Sequence, residues 1–553
     1  MGNYLESLGL ELSCDSAAAR LRHEVLSDTP WAPTPTTNVS YVAANRLLII
    51  AGLERAREIE ATLPEKMMCY FALPAKKSHT AKVVNAHHCA GLAISGYLGR
   101  FKASINGISS AEQDGNLANI FNIETGVFDQ VVDCGERPLI EAAIKPPGYH
   151  YFDPVSDVSA SLLELIPELI GEFEKPRYFD YNPDICAHGR SGIPGCTRCI
   201  DACPTQAIIS IGETIEVNPH LCQGGGTCAS SCPAGAISYV YPKVNEQIES
   251  LRVILKSLRE KNNNTGITLL FFDNEHGRED VAACSLNLAE HVVPYVVEEI
   301  GSVGLDLLAS ALAYGANTVL VYAPDSLPIQ VVQTLEHNCE VVRSVLDQTH
   351  CQSHSIQILN ALDSVLEAST PQVIELAEKF APVGNKRSII RTALTFFGKL
   401  PQNPTDVVRL PDASLFGQTH VDQQACTLCM GCVSVCPASA LQAGGDTPAL
   451  RFIEANCVQC GICCRACPES AITLEPRLHF DVNVVNKAHT HKEEAPFRCI
   501  DCGKPFATRA MIDKMTEKLK GHWMYEKPDA FKRLQMCEDC RVKDMFDKND
   551  MIS

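Results

Sequence analysis

Cysteine is the residue whose type and spacing could do chemistry in this chain. The 553 residues include 27 of them, and nineteen fall in tight groups. Two groups share one spacing, Cys426-x2-Cys429-x2-Cys432-x3-Cys436-Pro437 and Cys457-x2-Cys460-x2-Cys463-x3-Cys467-Pro468. Three thiolates this close together can reach one four-iron cubane from a single loop, while the fourth opens a helix and reaches the neighbouring cluster. The proline after each fourth cysteine suits a first helical turn. A zinc site would present two separated pairs instead. The expected ligand sets are Cys426, Cys429, Cys432 with Cys467, and Cys457, Cys460, Cys463 with Cys436. Cys464 is off-register and reads as a buried thiol rather than a ligand.

An earlier stretch repeats the theme with two departures. Its first run is Cys186-x9-Cys196-x2-Cys199-x3-Cys203-Pro204, with three glycines in the lengthened gap. Its second is Cys222-x5-Cys228-x3-Cys232-Pro233, in which Gly225 holds the place of a central cysteine. One set is then Cys186, Cys196, Cys199 and Cys232. The other has only Cys203, Cys222 and Cys228. Two readings stay open for it: a three-iron [3Fe-4S] cluster, or a full [4Fe-4S] cubane completed by a remote cysteine such as Cys14, Cys69, Cys89 or Cys134.

The last cysteines have another pattern. Cys499-x2-Cys502 and Cys537-x2-Cys540 are two knuckles 34 residues apart with no following proline. Four thiolates so arranged suit a tetrahedral structural Zn2+, with a rubredoxin-like iron site as the runner-up. Between them Met511, Met515 and Leu519 mark one face of a helix that the metal would pin. His87-His88-Cys89 and His489-Thr-His491 could bind metal, but ordinary exposed or satisfied histidines explain them as well. Ala51-Gly52-Leu53-Glu54 is not a Gly-x-Gly-x-x-Gly fingerprint, so a nucleotide or flavin site lacks its mechanical basis. No hydrolase triad stands out, and no catalytic residue is assigned.

The elements that must position these groups follow from pattern and punctuation. Residues 1–40 read as a helical leader, to about 28, and a linker with three prolines in its nine residues 29–37. Residues 41–150 read as a small α/β domain, with strands at 45–51, 67–72 and 128–132, a helix at 53–62 and closure at Pro146-Pro147-Gly148. A helical connector, 151–185, carries a helix over 156–174 into the first cysteine module, 186–245. A second α/β domain, 246–383, has strands at 267–272, 292–297 and 318–322 and a helix at 305–314. Strands alternating with helices predict a parallel sheet. A helix at 388–397 and the linker 401–404 make up 384–420. The second module is 421–480 and the tail 481–553. The fold class is multidomain α/β plus α+β.

Composition bounds the function. Apolar residues make up 46% and charged residues 20%, as in folded globular chains. The 47 basic and 66 acidic residues leave a net charge of −19, which argues against a nucleic-acid partner. No apolar run is long enough to span a bilayer. No basic and apolar leader or twin-arginine pair marks the start, and Glu6 stands where a myristoylation signal needs Ser or Thr. The expected location is the cytoplasm, where clustered cysteines are metal ligands rather than disulfides.

The stretches 186–232 and 426–467 resemble the dicluster [4Fe-4S] ferredoxin domain. Residues 262–345 resemble, more loosely, the delta iron-sulfur subunit of methyl viologen-reducing hydrogenase, through Val297-Glu-Glu-Ile-Gly-Ser-Val-Gly304 and Ala311-Leu-Ala-Tyr-Gly-Ala316. That subunit holds a further cluster on cysteines near its strand ends. Here Asp273-Asn-Glu-His276 and Ala323-Pro-Asp-Ser326 stand there, so docking is the expected role. The whole layout resembles a proteobacterial iron-sulfur cluster-binding protein encoded near formate dehydrogenase genes, through Cys186-Ala-His-Gly-Arg-Ser-Gly192, Cys196-Thr-Arg-Cys-Ile-Asp-Ala-Cys203 and Arg498-Cys-Ile-Asp-Cys-Gly-Lys-Pro-Phe506. The resemblance implies involvement in formate-linked electron flow, and the cysteine runs lead to an electron-transfer subunit with three or four [4Fe-4S] clusters. Its partners would be redox proteins, formate dehydrogenase components among them. An oxidoreductase subunit that feeds a flavin and a cluster-bearing scaffold or maturation factor are the alternatives.

Overall fold

The computed structural model describes residues 2–74, 85–89, 91–105, 115–153, 160–261, 266–351, 354–366, 371, 384–399, 405–445, 447–525 and 528–547. The linker 401–404 and the start of the helix expected over 156–174 lie outside the described residues. At the centre is a four-stranded parallel sheet in the order Val292–Val297, Thr268–Asp273, Thr318–Tyr322, Ser355–Leu359. Its inner strand Thr268–Asp273 is buried throughout, which is what a continuous run such as Thr-Leu-Leu-Phe-Phe needs. The helix Leu305–Ala313 is buried on every side, between the Val244–Lys261 helix and the Lys386–Gly398 helix.

This central core takes in more chain than its sequence segment suggested. The leader forms two helices, Tyr4–Leu8 and Ala17–Asp28, that pack into it. The Tyr4 ring stacks on Tyr295 at 5.0 Å. Arg22, only 1% exposed, donates to the carbonyls of Ala289 and Val292, both at 2.8 Å. Within the expected linker, Pro30–Trp31 pairs antiparallel with Gly2–Asn3. At the other end Ile390, Leu394, Phe416, Leu478 and Phe480 join the same core.

The first α/β unit is a five-stranded parallel sheet in the order Tyr149–Tyr151, Gln130–Asp133, Arg46–Ile50, Met68–Pro74, Ala86–Cys89. Leu47, Leu48 and Ile49 are fully buried. The helix expected to reach residue 174 ends at Glu168. Beyond it Gly171–Pro176 is a strand paired antiparallel with Asn38–Ala43. The reason is visible in Glu172-Phe173-Glu174-Lys175: its polar–apolar alternation has a period of two, and tertiary pairing with the equally alternating Asn38–Ala43 uses it.

Each cysteine module is built from the same parts. In the first, the hairpin Ile208–Ile211 with Thr214–Val217 and the pair Phe179–Tyr181 with Ile237–Tyr239 flank the short helices Arg198–Asp201 and Thr227–Ser231. In the second, Leu441–Ala443 with Ala449–Phe452 and Gly417–Val421 with Ile472–His479 flank Gly431–Ser434 and Ile462–Ala466. Added strands Val407–Arg409 and His489–Glu493 widen the second. In the tail, a hairpin of Pro496–Arg498 and Pro505–Thr508 precedes the helix Arg509–Leu519. That helix buries Ile512, while Met515 is exposed. Met511 and Leu519 are half-buried, and Leu519 lies on the side of the helix that holds Ile512.

Candidate functional site

The cluster-binding loops are shaped by left-handed residues. In the second module Leu428 and Met430 flank Cys429 with φ of 54° and 60°, and Gln459 and Gly461 flank Cys460 with φ of 53° and 76°. Side chains other than glycine rarely hold this conformation without return. Here the bends turn backbone N–H groups toward sulfur: Leu428 toward Cys426, Gln459 toward Cys457 and Ile462 toward Cys460. Further N–H groups reach sulfur from Ala440 to Cys436 at 3.2 Å and from Ala471 to Cys467 at 3.3 Å. The Gln459 amide adds another to Cys457 at 3.3 Å.

These loops bring the expected cysteines together. Burial pushes the Cys432 thiol up to about 12, and its neighbours Cys429, Cys426 and Cys467 push the same way. Cys436, Cys457, Cys460 and Cys463 line one cavity, walled by Leu441, Phe452 and Leu474. Burial raises the Cys457 and Cys460 thiols, and an apolar pocket that disfavours bare thiolates suits a cationic iron core. Metal replaces the protons and makes the thiolates compatible. Cys464 is half-buried and lies against Cys463, whose thiol it raises.

In the first module Cys199 is raised by burial and then by Cys232, Cys196 and Cys186. The long gap between Cys186 and Cys196 is taken up by a small hairpin, Gly189–Arg190 with Ile193–Pro194, which folds back as its glycines allow. Cys228 is raised by burial and then by Cys222, Cys203 and Cys199. The loop from Cys222 to Cys228 has the backbone of a complete cluster loop. Gly224 and Gly226 are left-handed, with φ of 88° and 74°, and the Gly224 N–H serves Cys222. Only the central side chain, at Gly225, is missing. The four remote cysteines lie elsewhere. Cys69 and Cys134 pack with the Arg46–Ile50 sheet, Cys89 packs on its other face, and Cys14 is exposed beside Arg22.

The two modules face each other through one set from each. Burial pushes the Cys196 thiol up to about 11, and both Cys232 and Cys460 add to it. Gly195 lies so close to Ile462 that a Cβ there would stand 2.6 Å from its Cδ1. Arg465 donates to the Pro194 carbonyl at 2.7 Å. Sequence reasoning missed this junction, because nothing in the spacing of either run points at the other.

The tail cysteines are closer together than the module sets. The sulfurs of Cys499, Cys502, Cys537 and Cys540 all lie within 4.8 Å of one another, with Cys502 and Cys537 at 3.6 Å. Tetrahedral bonds of about 2.3 Å to one ion put sulfurs about 3.8 Å apart. The arrangement fits a single metal ion and leaves no room for a cubane. Burial works against the Cys499 thiolate, but N–H groups of Cys502, Cys537 and Asp501 outweigh it and bring the thiol down to about 6. The tail rests on the second module: Thr508 donates to the Thr427 carbonyl at 2.9 Å, and Lys514 and Lys518 pair with Glu469.

The weaker candidates stay ordinary. His491 accepts or donates to Thr419 at 2.8 Å, and both it and His489 pack on Phe452. The His87 ring meets Cys89 Sγ at 3.7 Å. At the ends of the central strands Asp273, His276 and Glu299 do converge. Asp273 is already held by N–H groups of His276, Gly277 and Ile300, which makes it a fastener of that loop. The loop in turn packs on Gly225 and Gly226.

Residues 215–238 and 419–441 each match a family described as a 4Fe-4S binding domain. The first match spans Cys222, Gly225, Cys228 and Cys232, and the second Cys426, Cys429, Cys432 and Cys436. No curated protein matches the chain. Among the described residues no helix is long and apolar enough to cross a membrane.

Proposed function

We propose that this iron-sulfur chain is a cytoplasmic electron-transfer protein with four clusters in one line. From one end the ligand sets run Cys203, Cys222, Cys228; then Cys186, Cys196, Cys199, Cys232; then Cys436, Cys457, Cys460, Cys463; then Cys426, Cys429, Cys432, Cys467. The observation that carries the reading is the approach of Cys196 to Cys460, which joins the modules at their inner sets. Bound clusters would supply one-electron chemistry. The chain's own residues fix their spacing, bury them and aim N–H groups at sulfur, the levers that set potential. The incomplete set at Gly225 is the altered end. The complete set of Cys426, Cys429, Cys432 and Cys467 is then the entry or exit for a partner protein. The acidic chain favours a basic partner and a salt-sensitive encounter. The sequence resemblance makes formate dehydrogenase components the first partners to try. The tail quartet is read as structural zinc.

Cys429→Ser tests the line. With folding and the iron of 186–232 preserved, reduction of the first module by the partner should slow markedly. Unchanged reduction of the first module with every donor would mean that the modules serve separate partners.

A further inference from the structure

The Lys386–Gly398 helix opens with two basic residues that grip both modules. Lys386 Nζ donates to the carbonyls of Ser230 at 2.9 Å and Cys232 at 3.1 Å. Arg387 Nη1 donates to Pro233 at 3.0 Å and Leu415 at 2.8 Å, and its Nη2 to Ala455 at 3.2 Å and Cys457 at 2.8 Å. One planar fork thus spans from the residue after Cys232, in the first module, to Cys457, in the second. These two cysteines belong to the two inner sets. Arg198 stands nearby, facing Cys196, Cys232 and Cys460, and donates to the Ser414 carbonyl at 3.2 Å.

The electrostatics around the fork are one-sided. Near Arg387 lie Arg391, Arg198 and the two cysteines Cys457 and Cys232. Among the described residues no carboxylate pairs with Arg387 or Arg198. A guanidinium does not lose its proton in a folded protein, and holding one half-buried against backbone carbonyls without a paired carboxylate carries a cost. Two more guanidinium groups stand close by, of which Arg391 faces the buried carboxylate of Glu454, itself paired with Arg477. Beyond Glu454, thiolates bound to clusters would be the negative charge nearest the fork.

We infer that Arg387, with Arg198 beside it, is the shared counter-charge of the two inner clusters, holding them in register and raising both potentials together. The fork fixes the gap across which the electron must pass. Its charge favours the reduced state on both sides of that gap, so neither inner cluster becomes a trap relative to the other. The inference rests on the four-cluster reading above. Arg387 is a positioning residue: it touches backbone carbonyls and acts on the clusters through space.

The test uses full-length, cluster-loaded protein as wild type, Arg387→Met and Arg387→Lys. Iron per chain, EPR-monitored redox titration and the spin coupling between clusters are measured on each. With iron retained, Arg387→Met should shift the reduction equilibrium of two clusters about tenfold toward oxidised, about 59 mV for one electron, and leave the other two in place. Arg387→Lys should restore most of that shift, because the charge remains, while the inter-module spin coupling changes, because the fork is gone. Unmoved potentials in Arg387→Met, or four equal shifts, would overturn the inference. If Arg387→Met loses iron, Arg387→Lys decides: potentials near wild type support the inference, and fallen ones overturn it. A failure of the four-cluster reading looks different. It appears in the wild type itself, as fewer clusters or no coupling between modules, and removes the inference with it.

Discussion

Gly225→Cys should complete the three-cysteine set without disturbing the fold. A Cβ built at residue 225 meets only Pro204 Cγ within 4 Å, at 3.6 Å, an ordinary contact. Its backbone is not in the left-handed region, so the substitution adds no strain there. Restricting the unfolded chain at one glycine stabilises by about 0.4–1 kcal/mol before any metal is considered. The flanking glycines behave oppositely. At Gly226 a Cβ would lie 2.5 Å from the backbone of Ser302, and at Gly224 it would lie 2.9 Å from the Tyr178 ring, both with left-handed φ. A cysteine at either position costs about 1–3 kcal/mol in strain alone and should lose iron. The assays are iron per chain and EPR of the oxidised protein. The wild type should hold about 15 irons and show a three-iron signal, and Gly225→Cys should hold about 16, lose that signal and gain a four-iron signal on reduction. A wild type with full iron and no three-iron signal, unchanged by Gly225→Cys, would refute the reasoning and require a fourth ligand from another segment.

Two further outcomes follow from the structure. Cys502→Ser should release zinc and leave the segment 499–540 open to protease, with the cluster absorption largely intact; loss of iron without zinc would favour the rubredoxin-like site. Burial lowers both His150 and His354 to about 4 from an ordinary value near 6.5. The folded state therefore keeps them neutral where the unfolded chain takes up protons. Their contribution is present above about pH 6.5 and is lost as pH falls toward 4, so urea midpoints should drop across that window. A flat midpoint over it, or one unaffected by His354→Gln, would count against this.

What could be read from the sequence follows physical range. The cysteine runs were legible because ligation of a cubane is local: three thiolates within seven residues leave a signature no packing can hide. The strands Thr268–Asp273 and Val292–Val297 were legible because parallel strands buried on both faces are continuous apolar runs. The clamp at Lys386 and Arg387 was not, because its partners lie far off in the chain and are backbone carbonyls, which every sequence has. The docking of Tyr4 and Arg22 was not legible for a related reason: a short helix gains its stability from the surface it meets, and that surface is about 270 residues away. The strand Gly171–Pro176 carried its period-two signal openly, but the preceding helical pattern was extended over it.

The central core also sets a timetable for synthesis. Its apolar cluster joins residues from Tyr4 to Phe480 in one core, so it cannot close fully until nearly the whole chain has left the ribosome. At about 5–20 residues per second, roughly 10–50 s separate the emergence of Cys232 from that of Phe480. During that interval the seven thiols of the first module are made but not clamped, since Lys386 and Arg387 arrive late. Iron delivered to the nascent chain would meet loops free to bind it in any combination. On the four-cluster reading, loading after release would meet the two inner sets already in register. The architecture therefore favours a maturation step that comes after translation and fills both modules together.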